Sequence, residues 1–140
     1  MSDFRYARLM EVKEKFLEEK QRELDVAITG LRAVMEEIDG VQRETSRTCN
    51  DMTARCLTGK ELSVLVGYLA YLDTKKAGLC EERAEGEERL NAIRTALWDL
   101  EIELKMLEKL KTKTLRMVKK AQNKKEQKLM DELALRVEGQ

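Results

Sequence analysis

Arg55-Cys56-Leu57-Thr58-Gly59-Lys60-Glu61 is the stretch whose reading decides the fold. Thr58 is an N-cap residue type, and Glu61 follows it at the spacing of a capping box. In that motif the threonine side chain and the glutamate side chain each accept the other residue's backbone N–H. A helix therefore starts here, with Gly59 in its first turn or in the connection. The chain on both sides is patterned in sevens. Downstream, Leu62, Leu69, Leu90, Leu97, Leu104 and Val118 fall at a, with Leu65, Leu72, Leu79, Ile93, Leu100, Leu107 and Ala121 at d. Upstream, Leu17, Leu24, Leu31, Ile38, Thr45 and Met52 fall at a, with Ala27, Val34, Val41 and Thr48 at d. Before Leu17 the stripe drifts to Leu9, Val12 and Phe16, one position off, as a straight helix drifts against a strict seven-residue repeat.

If the chain folds back at Thr58 and Gly59, a residues of one arm must face d residues of the other. Met52 with Leu65, Thr45 with Leu72, Ile38 with Leu79, Leu24 with Ile93, Leu17 with Leu100 and Met10 with Leu107 all lie symmetrically about that break. Capping chemistry and heptad phase thus pick the same turn. The expected fold is all-α: a long two-helix antiparallel coiled-coil hairpin with an overhanging C-terminal helix. It forms a single domain over residues 1–140, with arm one about 4–55, the turn about 56–60 and arm two about 61–136. Residue 4 faces residue 113, so the paired part runs roughly 75 Å at 1.5 Å per residue, and residues 114–140 overhang.

Composition agrees. Of the 140 residues, 39% are charged against the roughly 25% of an average domain, yet 42% are hydrophobic, so the chain is not simply disordered. Only 4% are aromatic, which favours a thin aliphatic seam over a core of large rings. There is no proline where about 7 are expected, and nothing forbids very long helices. Lys76, Arg83 and Lys111 at a, with Gly86 and Thr114 at d, interrupt the seam, and long basic side chains can lay their methylenes across it.

Catalytic chemistry finds no footing. Histidine is absent, no phosphate-loop or nucleophile motif occurs, and the carboxylates lie on solvated helical faces. The expectation is no enzyme, no cofactor and no metal. Cys49, Cys56 and Cys80 are odd in number and lack zinc or redox spacing, so they read as free thiols of a reducing compartment. The N-terminal MSDFRYARLM lacks the apolar core of a signal peptide, and no apolar run is long enough for a membrane span. A cytoplasmic location follows as the expectation.

Surface features point to partners. SVLVGYLAYL, residues 63–72, puts Val64 and Tyr71 at c, Val66 at e and Tyr68 at g, more apolar surface than a two-stranded seam covers. Trp98 lies at b. The overhang carries Leu115, Val118, Leu129, Leu133 and Val137, and an unpaired helix of that length gains little from propensity alone. Lys105, Lys109, Lys113, Arg116, Lys120 and Lys124 belong to a basic run leading into it. No nucleic-acid-binding motif accompanies that run and the net charge is zero, so a steered contact with a protein is expected and nucleic acid is not.

The segment Glu126-Gln127-Lys128-Leu129-Met130-Asp131-Glu132-Leu133-Ala134-Leu135-Arg136 resembles the C-terminal EQKxMDExA-like signature of the flagellar export protein FliJ family. Phe4, LMEVKEK, the break near LTGKEL, a YLxxL segment at Tyr68 to Leu72 and ELKMLEKLK at Glu103 to Lys111 fall in the family's order. The resemblance implies a cytoplasmic coiled coil similar to the central stalk of rotary ATPases, peripheral to the inner membrane at the flagellar base. It implies binding to the hexameric export ATPase FliI and the export-gate protein FlhA, handling of export chaperones, support of ring assembly and only indirect association with the membrane. By motif, Gln127, Lys128, Met130, Asp131, Glu132 and Ala134 fall to the ATPase side, and Tyr68, Leu69, Tyr71 and Leu72 to the gate. The alternatives are the stalk of a virulence type III secretion system, a structural parallel coiled coil, or a holdase-like chaperone hairpin.

Overall fold

The computed structural model describes residues 4–139, so the extremes of the expected domain, 1–3 and 140, lie outside the described residues. Two helices form, α1 over Ala7–Ala54 and α2 over Gly59–Glu138. Both halves of the capping box are made: the Glu61 N–H donates to Thr58 Oγ1 at 3.3 Å, and the Thr58 N–H donates to Glu61 Oε2 at 3.4 Å. The Thr58 carbonyl accepts the Leu62 N–H at 3.0 Å, the first bond of the α2 ladder. Among the described residues no backbone has positive φ, so the reversal uses residues 55–58 without a left-handed glycine, and Gly59 is the first residue of α2. With no proline to break it, α2 then runs 80 residues.

The helices pack as two compact units. One, residues 20–96, is an antiparallel helical hairpin built around the connection. Ile38, Val41, Leu72 and Leu79 form its buried cluster, with Val34 and Cys80 packed against it, and Leu90 is buried further along. Even Leu72 keeps 4% exposure, as expected of a seam that only two helices cover. The polar seam positions are neutralised locally. Thr45 and Thr48 donate their hydroxyls to the carbonyls of Val41 and Glu44, both at 2.9 Å, so Thr48 is buried with its hydrogen bond made. Gly86 has a packing reason: a Cβ there would sit 3.2 Å from Leu31 Cδ1. Lys76 is half-buried at the seam, whereas Arg83 is exposed and reaches Glu87 at 3.9 Å.

The other unit joins residues 4–19 to 97–139. Met10, Leu97 and Leu104 are buried, Leu17, Leu100 and Leu107 half-buried, and Lys13 Nζ forms an ion pair with a Glu103 carboxylate oxygen. The structure corrects the expected drift before Leu17. The strict frame continues through Met10 and Lys13, leaving Leu9, Val12 and Phe16 on the surface at 42–50% exposure. A lysine stem closes the seam where an apolar residue was expected, because its ammonium reaches Glu103 while its methylenes stay inside. Pairing ends at half-buried Thr114, and every described residue from Leu115 onward is exposed, so the overhang is present. Val118 and Ala121, placed at a and d by the heptad count, lie beyond the end of the paired seam.

Gly30, Gly40, Gly67 and Gly78 sit inside these helices with open space within 4 Å of where a Cβ would stand, so packing gives no reason for them. Replacing each by alanine should therefore raise stability by about 0.5–1 kcal/mol, the helix propensity difference. Gly86→Ala should gain less, because Leu31 must shift. Urea denaturation of the five single variants checks this; equal gains at all five positions would contradict the packing assigned to Gly86.

Candidate functional site

Among the described residues no cluster of His, Cys, Asp or Glu could hold a metal ion, and no helix is long and apolar enough to cross a membrane. What the fold presents instead is surface: three exposed apolar tracts, each with a separate structural origin.

The first lies beside the connection. Val64, Tyr68 and Tyr71 are spaced i, i+4, i+7 and share one face of α2, exposed by 71%, 38% and 58%. The two tyrosine rings stack at 6.3 Å between centroids with 24° between planes. Tyr68 Oη donates to Glu44 Oε1 across the hairpin at 3.2 Å, because both residues stand at g on facing edges of the antiparallel pair. Of the four residues assigned to a gate contact, Leu72 is buried in the core cluster and Leu69 is half-buried in the seam. Tyr68 and Tyr71 supply the accessible part, and Val64 extends it. Period-seven counting already placed Leu69 at a and Leu72 at d, so the YLxxL likeness mixes two seam residues with two surface ones.

The second tract is the overhang. Leu115, Val118, Leu129, Leu133 and Val137 recur at intervals of three, four and eleven, so they keep to one side of a straight helix. Their exposures run from 39% to 75%. Gln127, Lys128, Met130, Asp131, Glu132 and Ala134 are all exposed on this helix, Met130 by 69%. Leading into it, Lys105, Lys109, Lys113 and Arg116 line a shallow basic groove with Glu108 and Thr112.

The third tract was missed by sequence reasoning. Leu9, Val12 and Phe16 of α1 stand at g, c and g, on the edge that carries the Lys13–Glu103 ion pair, and Met106 and Leu110 of α2 stand at c and g beside it. Ile102 at f adjoins them. Exposures lie between 39% and 66%. The signal was in the sequence as an apolar run one position off the seam, but it reads as seam drift until the frame through Met10 and Lys13 is known. Trp98 is 66% exposed at b. Cys49 and Cys56 are exposed free thiols, and Cys80 is a half-buried one.

Partial desolvation against the hairpin, reinforced by the hydrogen bond to Glu44 and by its negative charge, raises the Tyr68 phenol above its ordinary value of 10.0. A raised acid pKa means the folded state holds this proton more tightly than the unfolded one. The stabilisation it brings is complete below pH 10 and is lost as pH rises through the folded value. In a tyrosinate absorbance titration, the difference between the parent chain and Tyr68→Phe should therefore rise above pH 10. A difference curve centred at or below pH 10 would refute the Glu44 contact.

Residues 1–138 match the family of the flagellar FliJ protein. No curated protein and no solved structure matches the chain. The match runs through both arms, the connection and the exposed end of α2, and the chain accordingly belongs to the flagellar FliJ protein family, a family of the flagellar protein export machinery.

Proposed function

We propose that the chain is a non-catalytic coiled-coil stalk of the flagellar type III protein export apparatus, acting in the cytoplasm at the inner-membrane base of the flagellum. The observation that carries this reading is the end of α2. Beyond Thr114 it runs to Glu138 without cover from α1, and it bears the EQKLMDELALR segment on a wholly exposed helix. A helix of this length with an apolar stripe is stabilised mainly by docking.

On this reading the overhang enters the hexameric export ATPase, with Gln127, Lys128, Met130, Asp131, Glu132 and Ala134 as contacts, and the basic groove before it adds electrostatic steering. Tyr68 and Tyr71, with Val64, face the export gate, while Leu69 and Leu72 hold that surface in place from the seam. Export chaperones are further partners, and contact with the membrane runs only through the apparatus. Family membership supports the export role in general, and the exposure of the two tracts supports the division of partners between them.

Steady-state ATP hydrolysis by the cognate export ATPase provides the test. The full chain should raise turnover and promote ring assembly, and a chain ending at Lys120 should do neither while keeping its helical content. Equal stimulation by the shortened chain overturns the role of the overhang. A full chain that neither binds nor stimulates overturns the stalk. Changing Tyr68 and Tyr71 to Ser should weaken binding to the isolated gate protein and leave ATPase stimulation intact.

A further inference from the structure

The third apolar tract is self-complementary. On α1, Arg5, Val12 and Glu19 are spaced by seven at position c, and on α2, Asp99, Met106 and Lys113 are spaced by seven at the same position. The seam register that sets Met10 against Leu107 brings Val12 to within about one residue, roughly 1.5 Å along the axis, of the level of Met106. It therefore sets Arg5 beside Lys113 at one end of the tract and Glu19 beside Asp99 at the other. All six side chains are exposed. Along both helices the tract reads basic, apolar, acidic in the same direction.

We propose that this face is a self-association surface on which a second copy of the chain packs antiparallel, about a two-fold axis through Val12 and Met106. That rotation sets Arg5 against Glu19 of the other copy and Lys113 against its Asp99, twice each. It also sets Leu9 against Phe16 and Leu110 against Ile102, and meets Val12 and Met106 with their own counterparts at the centre. A two-fold interface requires this of a surface: each group must find its complement on an identical face. A parallel arrangement would put like charges together at both ends. Stacking two two-helix layers in this way makes a four-helix bundle and covers the apolar edge that each layer leaves bare.

The proposal does not depend on the stalk reading, because its test needs only this chain. Sedimentation velocity of the full chain should show a concentration-dependent monomer–dimer equilibrium. Asp99→Lys and Lys113→Asp each turn two attractions into two repulsions and should each raise the dissociation constant roughly tenfold. A one-to-one mixture of the two variants should restore parent-like association, since every charge then finds its opposite. Met106→Lys, at the centre, should abolish it. Circular dichroism should show unchanged helicity for all three exposed substitutions. A parent chain that stays monomeric into the range of hundreds of micromolar overturns the proposal, as does a dimer indifferent to Met106→Lys or single variants that fail to complement. If the parent is monomeric and Met106→Lys instead abolishes binding to the export ATPase, the face belongs to that partner and not to a second copy.

Discussion

Two reciprocal hydrogen bonds between Thr58 and Glu61 set the phase on which everything else in this protein rests. They fix the first residue of α2, and the first residue of α2 fixes which of its side chains meet α1. In a seam only two helices wide, a one-residue slip would rotate Leu72 and Leu79 away from Ile38 and Val41, with no third layer to compensate. Placing the contacts by phase also places the edges. Tyr68 meets Glu44 because g positions face g positions across an antiparallel pair, and Lys13 at d reaches Glu103 at the bordering g position. The exposed apolar tracts are what remains once the seam has taken its share.

Much of this was legible in the sequence, and the reasons differ by element. The connection was readable because capping is local chemistry, with donor, acceptor and spacing all contained in a few residues. The seam from Leu65 to Leu107 was readable because leucines dominate it. The start of α1 was not, because hydrophobicity there points to the wrong face: Leu9, Val12 and Phe16 outweigh Met10 and Lys13 in any apolar count. Only the ion pair to Glu103, a contact between residues distant in sequence, makes a lysine the better seam residue.

The candidate surfaces show the same division. The exposed end of α2 followed from counting, since an arm of 48 residues cannot cover one of 80. The tyrosine surface was only half readable. A motif such as YLxxL does not say which of its residues the seam consumes, and here it takes both leucines and leaves both tyrosines. The charge polarity around Val12 and Met106 was written in plain spacing of seven, but it has no meaning until those residues are known to face outward.

The position of the connection also orders the contacts by the loop each must close. Tyr68 and Glu44 are 24 residues apart, whereas Lys13 and Glu103 are 90 apart. Closure entropy grows with the logarithm of that separation, so once contacts beside the connection form, each next turn of seam closes at little added cost. Of the two contacts, the one in the seam that holds Met10, Lys13 and Leu17 therefore closes the longer loop. A ligand that binds only the closed form of those turns would stabilise it by mass action.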